Sequence, residues 1–484
     1  MIKKLFLKYK ELPVQVKASI WFLICSFLQK SIAAITTPIF TRLMNTTEYG
    51  AFNVFLSWQG IVTIFVSFNL SYGVFSQGLI KYEDDRKKYS SSMQGLALTL
   101  IGIWILVYFF TRNFWNSLFS MNTFQMIMMF LIIWSSAVYE FWASEKRVEY
   151  NYVSLVIVTI IASFFTPVLG IVLVSAFEDK VTARIISIAV TGVVLYFPCF
   201  LFQIIRGKSF YCKKYWKHAL LFALPLVPHY LSQTVLNSSD RIMIQEMVDN
   251  SSAGIYSLAY SISLLMTIFN TALMQTITPW LYKKIKENEI LSISKVAYST
   301  LIIIGIMNLF LIIFAPELVR IFAPKEYYVA IWVIPPIAMS VFFMYAYDLF
   351  AKFAFYYEKT KMIAIATAVG AILNIILNYF FIPKFGYYAA GYTTLFCYIL
   401  YAFMHYLYMR KVCNDNCKGI QPYNIKIILF ITIPFLILGF AILFTYNFSI
   451  VRYMILSFAL IIILIKHKFM INKIKQIVLL KNNK

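Results

Sequence analysis

The sequence predicts an all-α polytopic membrane protein of about fourteen transmembrane helices. Three observations predict it. The chain has 484 residues, of which 61% are hydrophobic and only 13% charged. Soluble domains carry about 25% charged residues, so no water-soluble core could hide this much apolar surface. The apolar stretches run about 20 residues or longer, without the alternation of roughly ten-residue barrel strands. Helices that satisfy their own backbone are the remaining way to cross a bilayer.

Apolar runs place the helices near 14–44, 51–77, 93–111, 123–144, 153–176, 185–205 and 219–248, then near 253–281, 295–316, 327–357, 361–383, 387–409, 426–445 and 448–465. The first follows the basic start Met1-Ile-Lys-Lys, as a signal peptide would. Its apolar run is too long and has no small-residue cleavage site, so a retained first helix is expected. The last pair is separated only by the short turn Thr445–Arg452. No run is flanked by a loop long enough for a catalytic domain.

A formal net charge of +23 would suggest nucleic acid in a soluble protein. Here the basic residues sit in short loops, which makes them topology signals and gives no reason to expect nucleic acid. With the N-terminus in the cytoplasm, alternate loops and both tails hold about 32 Lys and Arg, against about nine outside. Lys81, Arg86, Lys87, Lys88, Arg206, Lys208, Lys213, Lys214 and Lys217 belong to the inner set, with Lys466, Lys468, Lys473 and Lys475 in the tail. An even helix count with both termini cytoplasmic preserves that asymmetry. The six cysteines show no secreted disulfide framework. Cys413 and Cys417 lack the further ligands of a zinc site, and no metal is expected.

An internal repeat organises the chain. Met44-Asn45-Thr46-Thr47-Glu48-Tyr49-Gly50 joins helices 1 and 2, and Val248-Asp249-Asn250-Ser251-Ser252-Ala253-Gly254 joins helices 7 and 8. They align without a gap, with Phe52 and Tyr256 two residues beyond the glycines. The offset is about 204 residues, or six helices. Six is even, so both copies cross in the same sense, which implies two parallel six-helix bundles. The expected lobes are 1–210 and 211–412, with two extra helices and a basic tail in 413–484.

Three segments carry a resemblance. They are Thr41-Arg42-Leu43-Met44 through Glu48-Tyr49-Gly50; Leu224-Pro225-Leu226 with Ser239-Asp240-Arg241 and Ala253-Gly254-Ile255-Tyr256-Ser257; and Asn374 to Asn378 with Ile382-Pro383-Lys384-Phe385-Gly386 through Gly391. The layout resembles the polysaccharide-exporter branch of the multidrug/oligosaccharidyl-lipid/polysaccharide superfamily. The resemblance implies two lobes around a central cavity that opens alternately to each side. It also implies a cargo of sugar repeat unit on polyprenyl pyrophosphate, for surface polysaccharide such as O-antigen or capsule, in a bacterial cell (inner) membrane. A polysaccharide polymerase and a chain-length regulator are the partners that such an activity implies, besides the membrane lipid itself. Cation-coupled multidrug or metabolite exporters and flippases for the peptidoglycan lipid precursor are relatives with the same layout. A membrane glycan polymerase stays open as another class, although such enzymes need a large outer loop.

Such a transporter breaks no bond, so the residues to find are those that hold a polar cargo. Charges in a hydrocarbon core are costly and face a cavity or a partner. Lys30, near the middle of helix 1, is expected to meet pyrophosphate; an ion pair with a neighbouring carboxylate is the structural alternative. Arg241 on helix 7 could bind phosphate bidentately. Its neighbour Asp240 points about 100° away, toward a helix neighbour. Asp348 and Lys352 are four apart on helix 10 and share a face, as an ion pair or, through Asp348, as a coupling group. Arg42 and Arg112 read as headgroup anchors, with Arg42 a substrate candidate because it lies in the first family-like segment. Glu140 and Glu145 are expected at the cytoplasmic edge. Asn374 and Asn378 share a face suited to interhelical hydrogen bonds. Gly386, Ala389, Ala390 and Gly391 are expected to permit close packing, and the consecutive aromatics around Phe342 to be lipid or packing contacts. No Walker A, HExxH or GxSxG sequence is present, so neither a catalytic residue nor a cofactor is expected and direct ATP drive is not. A proton or sodium gradient is the candidate drive.

Overall fold

The computed structural model describes residues 13–359 and 361–457. The basic start and the lysine-rich tail lie outside the described residues, as does the second part of the run 448–465, from 458 on. The described chain is helical and without strands. Twelve of its helices are long and apolar enough to cross a membrane. It is a multi-pass membrane protein. The expected fourteen is approximate.

The chain divides into two compact units between Ile242 and Met243. In the first unit, α1 spans Val14–Leu43, α2 Thr46–Ser67, α3 Val74–Lys81, α4 Arg86–Phe119, α5 Thr123–Val148, α6 Tyr152–Ala176 and α7 Lys180–Gly207. The short α8, Lys213–Ala223, precedes α9, Val227–Met247, which runs across the division. The boundary expected at 210/211 therefore falls before two helical segments that contribute to the first unit. The reason is packing: Tyr215, Ala219 and Ala223 of α8 are buried in one apolar cluster with Phe75, Leu79, Tyr89, Met93 and Phe141. One continuous helix was expected over 219–248. A tight 3-10 turn at Leu224–Leu226, carrying Pro225, breaks it into α8 and α9, because proline lacks the N–H that would continue the ladder.

In the second unit, α10 spans Asn250–Ser263, α11 Met266–Lys286, α12 Ile290–Ile313, α13 Ala315–Phe322, α14 Ile334–Tyr356, α15 Lys361–Phe385, α16 Tyr388–Asn416 and α17 Ile425–Leu443. Residues 449–457 begin a further helix. The run expected as 253–281 is divided between α10 and α11 at Leu264 and Leu265. Phe342, at the aromatic run of α14, is fully buried and stacks on Phe435 at 4.2 Å. These aromatics are packing contacts rather than lipid contacts.

The two repeated connectors have a common local structure. Asn45 caps α2 by accepting from Glu48 N, and Glu48 reaches back to Asn45 N. Asp249 caps α10 by accepting from Ser252 N at 2.6 Å. Each side chain satisfies an orphan backbone donor three residues on, which fixes where the next helix starts. Gly50 and Gly254 are both buried one turn later.

Candidate functional site

The cations expected to meet phosphate occupy different surroundings. Lys30 is exposed on α1, on a helix that also exposes Leu23, Ile24, Phe27 and Ile35. Among the described residues no carboxylate lies within ion-pair distance of it. Arg42 is exposed near the end of the same helix and donates to Pro38 O at 2.7 Å. At about 1.5 Å per residue the two cations stand roughly 18 Å apart along α1, too far to hold one small anion together. Arg241 is half-buried on α9 and donates to Asn237 O at 3.2 Å. Asp240 beside it is 1% exposed, so the two do point to different surroundings.

Asp348 and Lys352 are brought together directly, with Lys352 Nζ donating to Asp348 Oδ1 at 2.7 Å. Their side chains are 32% and 14% exposed. They face a cavity of about 540 Å³ within the second unit. Its opposite wall is α11, which presents Thr267, Asn270, Thr271, Gln275 and Thr278. That wall was missed in the sequence, yet its signal is there. The polar residues recur every three or four positions through an apolar helix, which places them on one face. A larger hollow of about 690 Å³ on α15 and α16 is walled by Phe381, Phe385, Tyr392 and Phe396 and carries no charged lining residue.

The asparagines of α15 hydrogen-bond as their shared face suggests. Asn378 Nδ2 donates to Asn374 Oδ1 at 3.2 Å, Asn374 Nδ2 to Thr394 at 3.4 Å, and Thr393 Oγ1 to Asn378 Oδ1 at 2.5 Å. Gly391 does permit close approach, since a Cβ there would lie 3.1 Å from Pro336. Gly386 does not: a Cβ would meet nothing within 4 Å, but its φ of +65° is a left-handed turn. Its glycine serves the chain reversal between α15 and α16.

Glu145 is 2% exposed. It accepts from Gln203 Nε2 at 2.6 Å and pairs with Arg206 at 3.2 Å, while Gln203 Oε1 accepts from Gln94 at 2.6 Å. The network bolts α4, α5 and α7 together. Glu140 stays half-exposed, 3.6 Å from Arg147. Arg184, also missed, lies with its guanidinium carbon 3.8 Å from the Phe40 ring centre and donates to Ser187. Among the described residues no cluster of His, Cys, Asp and Glu could hold a metal.

The family described as "Polysaccharide biosynthesis protein" matches residues 16–285, more than half of the chain. The chain belongs to this family. It falls in the polysaccharide-exporter branch of the multidrug/oligosaccharidyl-lipid/polysaccharide superfamily, and residues 225–380 also match the MatE family. Among relatives, "Lsg locus putative protein 1" of Haemophilus influenzae is 26% identical over 211 residues, covering 41% of this chain and 51% of that protein. The chain thus spans about half the length of that relative. An "Uncharacterized membrane protein" of the same organism is 19% identical over 379 residues, covering 74% of this chain and 88% of the other. The fold is similar to that of the lipid II flippase MurJ, with a TM-score of 0.73 at 16% identity, over 93% of this chain and 100% of that one. It is also similar to a MATE-family multidrug resistance transporter, with a TM-score of 0.66 at 12% identity, over 80% and 96%.

Proposed function

We propose that the chain is a flippase. It carries polyprenyl-pyrophosphate-linked oligosaccharide repeat units from the cytoplasmic to the outer leaflet by alternating access, for surface polysaccharide such as O-antigen or capsule. The observation that carries this reading is the family match over residues 16–285, and the likeness in fold to a lipid II flippase supports it. In this reading both termini lie in the cytoplasm of a bacterial inner membrane. Lys30 and Arg241 bind pyrophosphate, and Arg42, roughly 18 Å from Lys30 along α1, is a cargo contact away from it. A proton or sodium gradient supplies the drive, and a polymerase with its chain-length regulator takes the product. The chain itself makes and breaks no bond.

Deleting the gene tests the reading. Surface polysaccharide should disappear, and the lipid-linked repeat unit should accumulate where a cytoplasmic-side probe reaches it. Lys30→Ala or Arg241→Ala should stop export while the protein stays in the membrane at normal abundance. Normal polymer in both variants removes these residues from the mechanism. Loss of small-amphiphile efflux with intact polysaccharide would instead make the chain a drug or metabolite exporter.

A further inference from the structure

We propose that the cavity between α11 and α14 is the seat of a neutral sugar ring of the cargo, a subsite for the glycan and not for its pyrophosphate. The proposal rests on the flippase reading and deepens it.

The argument comes from which hydrogen-bonding positions the lining has left. Thr267 Oγ1 donates its hydrogen to Leu264 O at 2.6 Å, and Thr271 Oγ1 to Thr267 O at 2.7 Å. Both hydroxyls therefore offer the cavity only lone pairs. Asn270 Nδ2 gives one of its two hydrogens to Val341 O at 3.0 Å. Its Oδ1 is buried with no donor among the described residues. Asp348 gives one oxygen to Lys352 and keeps the other. The lining thus presents several open acceptors, beside donors on Gln275, Tyr345 and Tyr347. A buried acceptor left unsatisfied costs about 1–3 kcal/mol, so the fitting ligand is one that brings several donors.

An ionised phosphate brings only acceptors and would leave Asn270 Oδ1 and the two threonine hydroxyls without donors. A cation is a donor, but Lys352 already neutralises the carboxylate, and a second cation would leave the cavity with net positive charge. A pyranose ring brings several O–H donors and no charge. A cavity of about 540 Å³ lies within the roughly 300–1,000 Å³ of small-molecule sites.

The test uses the full-length protein in nanodiscs and two probes: polyprenyl pyrophosphate bearing a neutral oligosaccharide, and polyprenyl pyrophosphate without sugar. Binding is read by tryptophan fluorescence. Asp348→Asn and Asn270→Leu should each weaken the sugar-bearing probe about tenfold, the equivalent of about 1.4 kcal/mol, and leave the sugar-free probe unchanged. Thr271→Val, a milder change, should weaken the sugar-bearing probe in the same selective way. Equal weakening of both probes, or none, overturns the subsite while leaving the flippase reading in place. Unchanged binding of both probes with lost sodium or proton dependence of transport makes Asp348 a coupling group instead. A wild-type protein that binds neither probe defeats both proposals.

Discussion

Gln203 illustrates what a single side chain does inside this bilayer-spanning fold. It accepts from Gln94 and donates to Glu145, both at 2.6 Å, so it spans three helices. Gln203→Leu has similar volume but strands an amide donor and a buried carboxylate oxygen. About 1–3 kcal/mol of stability should be lost, seen as a lower thermal midpoint in detergent; an unchanged midpoint would mean water or relaxation replaces both bonds. Asp348 and Lys352 are coupled in another way. Because the carboxylate is partly exposed, their pairing should be modest. A double-mutant cycle with Asp348→Asn and Lys352→Met should give a coupling of about 1 kcal/mol. The pair was legible in the sequence because i, i+4 spacing brings two side chains together on any helix. Glu145 was not. Its burial is set by Gln203 and Arg206, 58 and 61 residues away, and no local pattern announces that.

At the scale of elements, the sequence was most readable where chain chemistry acts locally. Polar-then-glycine connectors marked helix starts, and the caps at Asn45 and Asp249 give that signal its physical cause. Asn45→Ala and Asp249→Ala should each cost about 1 kcal/mol, and Asn45→Ser should recover most of the loss. Equal stability of the alanine variants would show that the helices start for other reasons. The breaks inside long apolar runs were harder to place. Hydropathy is continuous through Leu224-Pro225-Leu226 and Leu264-Leu265, so a window of about twenty residues reports one span. The polar stripe of α11 was legible in principle, since its spacing is helical, but it becomes a wall only when α14 packs opposite.

At the scale of the whole molecule, the chain divides into two compact units near its midpoint. How the segment after α17 is held depends on long-range pairs that no run of sequence displays. Arg452 is 2% exposed and pairs with Glu317 of α13. Tyr453 donates to the same Glu317 oxygen at 2.8 Å, and Tyr446 donates to Ile312 O at 2.7 Å. A buried guanidinium that loses its carboxylate is left as an uncompensated charge, which costs about 3–5 kcal/mol in a fully buried pair. Glu317 is partly exposed, so Glu317→Ala should cost about 2–3 kcal/mol. Tyr446→Phe deletes one hydrogen bond without stranding a charge and should cost about 1 kcal/mol. Because both contacts join residues 446–453 to α12 and α13, Glu317→Ala should also loosen the C-terminal segment locally. The turn between α16 and α17, residues 417–424, should then be cut faster by protease, while sites in residues 13–242 keep their wild-type rate. Faster cutting throughout the chain would show that Glu317 supports global stability and does not specifically anchor this segment.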